Sequence, residues 1–251
     1  MEACLLQSSE LVRQFMNCFN QLNVYDISPV FETNMPGFHH HPSLGIVENH
    51  RNFCHHGYYA QTLIISEHTG SHVDAPVHCH GDQATIDQLP IDCLIGPYKK
   101  YDLAKYALEA GKPVGMDIIR EVEKRDHFSV QAGDIVLIDF GWDQYYKPDT
   151  SGKERDWWGK NEPGLTREVC QYFYESGIKA IGADTPGVDI CMVNGEILSA
   201  PGHAEYFLPN KILIMEGFSR MNQAPATGVF MALPLKIKNG SGSPIRPILL
   251  A

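Results

Sequence analysis

Several familiar patterns are missing from this chain of 251 residues, and each absence excludes a class of function. No apolar run approaches the ~18 residues that a transmembrane helix needs, so we expect no membrane partner. The N-terminal segment lacks the basic region, apolar core and small-residue cleavage site of a signal peptide. We therefore expect this segment to belong to the mature protein.

Motifs for common kinds of catalysis and binding are also missing. There is no G-x-S-x-G turn, which leaves a serine hydrolase mechanism without a candidate nucleophile. Neither the dinucleotide-binding nor the P-loop glycine pattern occurs, so nucleotide chemistry has no support. Basic residues are few: 20 Lys and Arg stand against 30 Asp and Glu, a net charge of −10. This balance argues against nucleic acid as a partner.

Cysteine usage indicates a reducing compartment. The seven cysteines are odd in number and no two form a C-x-x-C pair, so we expect no disulfide framework. The cytoplasm is therefore the predicted location. For the same reason we expect the sequon formed by Asn239, Gly240 and Ser241 to carry no glycan.

The remaining composition and the apolar patterning predict one α/β domain spanning residues 1–251. Hydrophobic residues make up 43% of the chain and charged residues 20%, an ordinary globular balance. Helices are predicted within residues 1–22, 114–125 and 165–177. Ser9 and Thr166 are the expected N-caps. The predicted strands are residues 61–66, which should be buried, and residues 134–142, 178–184, 210–218 and 229–237. The strand–helix–strand order around the last helix indicates a βαβ unit.

A long polar segment interrupts this pattern at residues 143–163. It is rich in turn residues and carries Trp157 and Trp158. Loops of this length inside compact domains are often functional. We interpret the segment as a surface loop or a lid.

The stretch SEHTGSHVDAPVH concentrates three histidines and an aspartate behind an apolar run. A flat strand would place His68 and Asp74 about 20 Å apart, whereas metal ligands each sit about 2 Å from their ion. A straight helix would align His68 with His72 but turn Asp74 away. The chain must therefore curl if these residues and His78 are to act together, and Gly70 provides the freedom for it.

Imidazole and carboxylate groups at this spacing favour a metal site over ordinary hydrogen-bonded loop histidines. Together they suit Zn, Mn or Fe, and a few protein ligands with an open position are typical of a catalytic site. Two candidates lie far along the chain. His203 lies in SAPGHAEYF, and Glu216 ends an apolar run. A buried carboxylate there needs a partner, either a metal or a salt bridge.

The remaining histidines do not share this pattern. Most occur in runs within loops, so we expect them to be solvated or to face a substrate only weakly. They are His39, His40, His41, His50, His55 and His56, and His80 is interpreted as a bystander.

The sequence resembles the cyclase-like metal-dependent hydrolases, a family that includes bacterial kynurenine formamidase and isatin hydrolase. HTGSHVDAPVH, followed by GDQATIDQLPIDCLIGP, resembles the family signature and is the most specific match. DISPVFETNMPGF, GDIVLIDFGW, IGADTPGVD and GHAEYFLPNKILIMEGF follow in the family's order. The resemblance covers most of the chain.

This resemblance implies an α/β fold with a mixed β-sheet core flanked by helices, assembled as a homodimer or a higher homo-oligomer. It implies that His68, His72 and Asp74 bind one metal ion. Asp74, His203 and Glu216 would hold a second ion where two are present. The implied ions are Mn²⁺ or Zn²⁺, one or two per chain.

The implied reaction is hydrolysis of the amide C–N bond of an aromatic or cyclic amide, as in isatin ring opening or N-formylkynurenine deformylation. Metal-activated water would attack, and His78 would be the catalytic acid and base. Ser71, Cys79 and Gly187 stand where the family usually has other residues. The length of the chain and of residues 143–163 favours the isatin hydrolase branch.

Two other functions stay open on sequence alone. His72, Asp74 and His203 also fit the 2-His-1-carboxylate triad of non-haem iron oxygenases. That assignment gives His68 and His78 no role and usually goes with an all-β barrel. A metal-binding protein without catalysis would likewise give His78 no role. Replacing His78 by alanine separates these functions, because only the hydrolase loses activity while keeping its metal.

Overall fold

The computed structural model describes residues 2–147 and 152–251, and the side chains of all of these except residues 2–8 and 48–50. Among the described residues, the α-helices are α1 (Glu2–Phe19), α2 (Phe53–His56), α3 (Met116–Asp126) and α4 (Arg167–Glu175). The strands are β1 (Val24–Asp26), β2 (Gly45–Arg51), β3 (Ala60–Ile64), β4 (His72–Asp74), β5 (Ile95–Asp102), β6 (Ile135–Asp139), β7 (Ala180–Ala183), β8 (Cys191–Val193), β9 (Glu196–Ser199), β10 (Leu213–Glu216), β11 (Thr227–Met231), β12 (Gly242–Pro244) and β13 (Ile248–Leu250). No helix in these ranges has the length and hydropathy needed to cross a bilayer.

Nine strands of the described chain form one mixed sheet in the order β1-β13-β11-β5-β6-β7-β10-β4-β12. The central strands β5, β6, β7 and β10 run parallel to one another, and the flanking strands pair antiparallel. Helix α4 connects β6 to the neighbouring parallel strand β7, which is the predicted βαβ unit. The prediction of an α/β fold with a mixed sheet flanked by helices is confirmed.

Local sequence signals account for α4. The Thr166 hydroxyl accepts a hydrogen bond from the Val169 N–H at 3.3 Å and so caps the first turn. Val169, Cys170 and Phe173 recur on one face and are fully buried against the sheet. Gly177, with φ of +71°, takes the left-handed conformation that ends the segment.

Strand β6 shows why the centre of the sheet is apolar along its whole length. Val136 and Ile138 belong to the core on one face, and Ile135 and Leu137 to the core on the other. This division follows from the alternation of side chains along a strand. A strand covered on both faces needs an unbroken apolar run, and that run is what the sequence shows.

Two predictions about local structure are wrong. Helix α1 begins at Glu2, so Ser9 lies inside the helix and does not cap it; the residues before it include good helix formers such as alanine, leucine and glutamine. Residues 61–66 are not a buried strand. Strand β3 pairs with β2 in a separate two-stranded sheet, and Leu63 and Ile64 are 49% and 65% exposed. An apolar run predicts a strand but does not reveal what covers it.

The segment at residues 143–163 is only partly a surface loop, and residues 148–151 lie outside the described part. Trp158 is buried, and its indole N–H donates to the Asp184 carbonyl at 3.2 Å. The Trp157 ring stacks on that of Trp142, with centroids 5.6 Å apart. These tryptophans therefore anchor the ends of the segment, and a role as a lid stays a prediction.

Candidate metal centre

Two adjacent antiparallel strands bring the first candidate ligands together. Strands β4 and β10 pair so that His72 lies opposite Glu216. His72 and Asp74 are two residues apart on β4, so their side chains share one face of the sheet. The third element is the π-helix Gly202–Tyr206, which carries His203. Ligand candidates far apart in sequence therefore meet at one place.

The distances among these four side chains match those around a shared ion. His72 Nε2 lies 3.3 Å from Glu216 Oε2 and 3.6 Å from Asp74 Oδ1. His203 Nε2 lies 3.5 Å from Glu216 Oε1 and 3.6 Å from Asp74 Oδ2. Ligand atoms about 2.1 Å from one ion in a tetrahedral site are about 3.4 Å apart. The nitrogen–oxygen distances here are of that size, and His72, Asp74 and Glu216 each offer one atom that could hold an ion together.

The burial of the two carboxylates supports the same conclusion. Asp74 is 1% exposed and Glu216 is 5% exposed. Glu216 Oε1 is buried without a hydrogen-bond partner. Buried carboxylates are costly unless a cation or donors compensate their charge. A metal between them and the imidazoles would compensate both.

A second group of donors shares Asp74. His68 Nδ1 lies 2.7 Å from Asp74 Oδ1, and with His78 these residues could also hold an ion. The His68 and His78 rings are 4.2 Å apart. The structure thus brings all six predicted site residues together, although by distance His72 groups with Glu216 and His203, while His68 groups with His78.

Glycine makes the curl before β4 possible. Gly70 has φ of +64°, and a Cβ there would lie 2.3 Å from the Phe31 ring. Gly217, just after β10, has φ of +69°, and its Cβ would lie 2.6 Å from the Gly70 carbonyl oxygen. The Ser71 hydroxyl donates to the Gly217 carbonyl at 2.8 Å. The two glycines therefore let the curl pack against the end of β10.

Two of the histidines are oriented by groups that accept from Nδ1. Asp189 Oδ1 lies 2.6 Å from His203 Nδ1, and its other oxygen accepts the Gly202 and His203 backbone N–H groups. The Gly70 carbonyl accepts from His72 Nδ1 at 2.8 Å. Since a carbonyl or carboxylate oxygen accepts, Nδ1 carries the proton in both rings and Nε2 faces the centre.

Sequence reasoning missed Asp189, although it lies within the quoted IGADTPGVD segment. The available signal was that two aspartates, Asp184 and Asp189, lie among apolar and small residues in this stretch. A second missed residue is Glu162, which is fully buried and accepts the Gly187 N–H at 2.7 Å. Burial and the nearby Glu216 raise the pKa of Glu162 well above its usual range. Glu162 thereby holds the loop that ends in Asp189.

The electrostatics of the centre favour positive charge. Burial alone would lower the pKa of His72, but hydrogen bonding with Glu216 and the charge of Asp74 raise it to about 9. Burial opposes charge on His203 too, but Asp189, Asp74 and Glu216 raise its pKa well above the usual value. Without a metal, protons on these rings balance the carboxylates, so a metal must displace them.

A cavity of about 500 Å³ meets the candidate site at His68, the one of the six site residues that lines it. Its lining comes from residues 34–44, from residues 68–70 and from the end of the long loop at residues 155–160. His39, His41 and His68 line this cavity, and the rings of His41 and His68 are 5.1 Å apart. A small organic molecule in the cavity would therefore lie beside His68.

The other histidines take different places. His39 contacts the Gly159 carbonyl through Nδ1 at 3.1 Å, and His40 lies against it with ring centroids 3.9 Å apart. His55 and His56 are exposed on α2. His80 Nε2 lies 3.1 Å from the His203 carbonyl oxygen. The side chain of His50 lies outside the described residues.

The fold and the donor cluster define an α/β protein with a candidate divalent-metal centre at the edge of its parallel strands. The family model described as "Putative cyclase" matches residues 25–190, well over half of the chain. The chain therefore belongs to the cyclase family, and the resemblance inferred from the histidine signature is confirmed.

Named relatives agree with this assignment. An isatin hydrolase of Roseibium aggregatum is 29% identical over 195 residues, covering 75% of this chain and 73% of the relative. A kynurenine formamidase of Salinibacter ruber is 27% identical over 188 residues, covering 75% and 78%. A crystal structure of an isatin hydrolase bound to the product analogue thioisatinate shares the fold, with a TM-score of 0.81 and 24% identity over 100% of this chain and 99% of that chain.

Proposed function

We propose that this chain is a metal-dependent amidohydrolase that cleaves the C–N bond of an aromatic or cyclic amide. The observation that carries the proposal is the buried cluster of imidazole and carboxylate groups beside a cavity of about 500 Å³. Membership of the cyclase family and the names of the relatives support it. The iron oxygenase alternative is not favoured, because the core is a mixed α/β sheet and the relatives are hydrolases.

We assign metal binding to His68, His72, Asp74, His203 and Glu216, with Mn²⁺ or Zn²⁺ as the ion. Nitrogen and oxygen donors without thiolates suit either metal. We propose one or two ions per chain: the group of His72, Asp74 and Glu216 supports one ion, and a second would use His68 and Asp74, with His78 kept for proton transfer. A divalent ion bound here lowers the pKa of water to about 7 and polarises a carbonyl group.

His78 is proposed as the residue that moves the proton. It is half-buried, and its ring lies 6.5 Å from that of His203. Burial lowers the pKa of His78 and outweighs the opposing charge of Asp74, so the imidazole is neutral near pH 7. A neutral ring can accept a proton from the attacking water and return it to the leaving nitrogen.

The cavity is proposed as the substrate pocket. Met35, Phe38 and Leu44 give it apolar lining, while Arg155 and Lys160 lie on its side formed by the long loop. Apolar contacts with an aryl ring would hold the substrate so that its carbonyl faces the centre. Residues 155–160 would then cover the bound substrate.

We further propose that the protein is a homodimer or higher homo-oligomer in the cytoplasm. The two-stranded sheet exposes Val47, Leu63 and Ile64 by 48%, 49% and 65%. Exposed apolar surface of this kind favours burial against a second copy of the chain. The cysteines within the described side chains are free thiols, which supports a reducing compartment.

Metal removal and reloading tests the proposed function. The protein is stripped with a chelator and reloaded with Mn²⁺ or Zn²⁺, and isatin ring opening is followed by absorbance, with N-formylkynurenine as the parallel substrate. We expect turnover of one of the two only after reloading. Turnover that persists in the stripped protein would contradict the proposal, and the Asp74→Asn variant, which lacks the shared carboxylate, is the matched control.

A further inference from the structure

Residues 240–242 lie directly against Glu67 and His68, although 170 or more positions separate them in sequence. The Ser241 hydroxyl donates to Glu67 Oε2 at 2.7 Å, and the Ser241 backbone N–H donates to the same oxygen at 2.8 Å. The Ser241 oxygen lies 2.9 Å from His68 Nε2. A continuous chain of hydrogen bonds therefore links Glu67, Ser241, His68 and Asp74.

The glycines on both sides of Ser241 allow this close approach. A Cβ on Gly240 would lie 2.8 Å from Glu67 Oε1, and a Cβ on Gly242 would lie 2.7 Å from His68 Cε1. Strand β12, which begins at Gly242, pairs with β4 so that Gly242 lies opposite Asp74. The segment is thus shaped around the two side chains, and the hydroxyl of the sequon Asn-Gly-Ser is engaged inside the protein.

The direction of these hydrogen bonds shows that Nε2 of His68 carries a proton. A carboxylate oxygen only accepts, so the single Ser241 hydroxyl proton points to Glu67. The Ser241 oxygen must then accept from His68 Nε2–H. His68 Nδ1 lies 2.7 Å from Asp74 Oδ1 and donates to it in the absence of a metal. A bound metal would take the place of that Nδ1 proton, because Ser241 keeps the other proton on Nε2.

This arrangement is the reverse of that at the other two imidazoles. His72 and His203 have Nδ1–H bound to the Gly70 carbonyl and to Asp189, which leaves Nε2 facing the centre. The three histidines therefore donate to three different acceptors: the Ser241 hydroxyl, the Gly70 carbonyl and the Asp189 carboxylate. Among these, the Ser241 hydroxyl is in turn hydrogen-bonded to a carboxylate, that of Glu67. Such partners fix the tautomer and the ring orientation of a metal ligand.

We propose that Ser241 and Glu67 are positioning residues that hold His68 as an Nδ1 ligand of the metal centre. The inference rests on the proposed function, because it assigns a task to a histidine of that site. Neither residue lines the proposed substrate cavity. Their effect passes through the orientation and basicity of the His68 ring.

The test measures metal binding in the absence of substrate. Ser241→Ala and Glu67→Gln are titrated with Mn²⁺ by calorimetry, and their Co²⁺-loaded forms are compared with the unaltered protein by absorption spectroscopy. We expect both variants to bind Mn²⁺ about 10–100-fold more weakly and to show altered Co²⁺ bands. Ser241→Thr, which keeps the hydroxyl, should restore most of the affinity. Thermal unfolding verifies that each variant is folded.

A matched control is available on the same segment. Asp87 Oδ1 accepts the Thr85 hydroxyl at 2.6 Å and the Asn239 N–H at 3.1 Å, so it anchors the same segment without contacting a histidine. Asp87→Ala, which removes this acceptor, should bind Mn²⁺ as the unaltered protein does. An equal loss in Asp87→Ala would mean that the segment only needs anchoring, and the inference would fall.

Failure of the inference and failure of the proposed function give different results. Folded Ser241→Ala and Glu67→Gln variants with unchanged affinity and unchanged Co²⁺ bands would overturn the positioning role while the metal centre stands. An unaltered protein that binds neither Mn²⁺ nor Co²⁺ would overturn the metal centre itself and the positioning role with it.

Discussion

Two histidine-rich regions of this molecule have opposite electrostatic character. In residues 39–41 the imidazoles pack on one another and on Phe38, with ring centroids between 3.9 and 5.7 Å apart. Burial and the neighbouring imidazoles of His68 and His72 lower the pKa of His41 to about 4. His41 therefore resists positive charge.

At the candidate metal centre the same residue type shows the opposite shift of the pKa. Burial disfavours charge on His72, yet Glu216 and Asp74 raise its pKa to about 9. What distinguishes the two regions is the pair of buried carboxylates, since both are rich in histidine. A run of histidines thus does not predict a metal site unless acidic groups face it.

The largest expected effect comes from removing the carboxylate that both donor groups share. Asp74→Asn should lower Mn²⁺ affinity by more than about a hundredfold and abolish amide hydrolysis, since removing one member of a buried charge cluster costs about 3–5 kcal/mol. Calorimetric titration with Mn²⁺ measures the loss, with circular dichroism as the check on folding. A folded variant with near-normal Mn²⁺ affinity would show that the carboxylates are not what distinguishes the candidate metal centre from residues 39–41.

Removing His78, the proposed proton-transfer residue, should separate catalysis from metal binding. His78→Ala should lower kcat by about 10²–10⁴-fold while metal content stays close to that of the unaltered protein. Elemental analysis beside steady-state kinetics measures both quantities. If the metal is lost together with activity, His78 belongs to the ligands and its assigned role is wrong.

Raising the pH should lower the stability of the metal-free protein and increase its affinity for Mn²⁺. The raised pKa of His72 means that its charged form stabilises the metal-free protein fully below about pH 6.5, and this contribution is lost as the pH rises through about 9. A metal binds the neutral ring, so Mn²⁺ affinity should increase about tenfold per pH unit below pH 9 for this group.

Thermal unfolding of the metal-free protein and Mn²⁺ calorimetry, each from roughly pH 6.5 to 8.5, measure the two trends. Calorimetry in buffers of different ionisation enthalpy counts the protons released. A metal affinity that does not vary with pH would mean that the rings at the centre are already neutral.

The smallest effect is expected in the other histidine-rich region. His41→Asn should leave Mn²⁺ affinity unchanged, because the buried Nδ1 of His41 has no hydrogen-bond partner and His41 belongs to neither group of possible metal ligands. The comparison of His41→Asn with His72→Asn in the same titration tests the contrast directly. Equal losses in the two variants would remove the distinction between the regions.

Helices and strands of the fold could be predicted from local patterns, because side-chain alternation and helix capping depend on residues close together in the sequence. The alternation along β6 and the Thr166 cap of α4 are set by residues within a few positions of each other. The exposure of β3 could not be predicted, because it depends on which other element covers an apolar run, and β2 pairs with it without covering it.

The candidate site also has features that the sequence predicts and features that it does not. The need for a curl at Gly70 follows from ligand distances, and the structure shows a left-handed φ there. Asp189 and Ser241 escaped notice because each meets its histidine only after folding, across 14 and 173 positions. The roles of His203 and Glu216 came from family resemblance, because no local pattern reports on a pairing between β4 and β10.

The most direct test of the account is anomalous X-ray diffraction from crystals soaked in Mn²⁺. We predict an anomalous peak bounded by the Nε2 atoms of His72 and His203 and by the carboxylates of Asp74 and Glu216, with any second peak beside His68. A peak among residues 39–41 instead, or an empty cluster in crystals that bind Mn²⁺ elsewhere, would contradict the claim that the buried carboxylates create the metal centre.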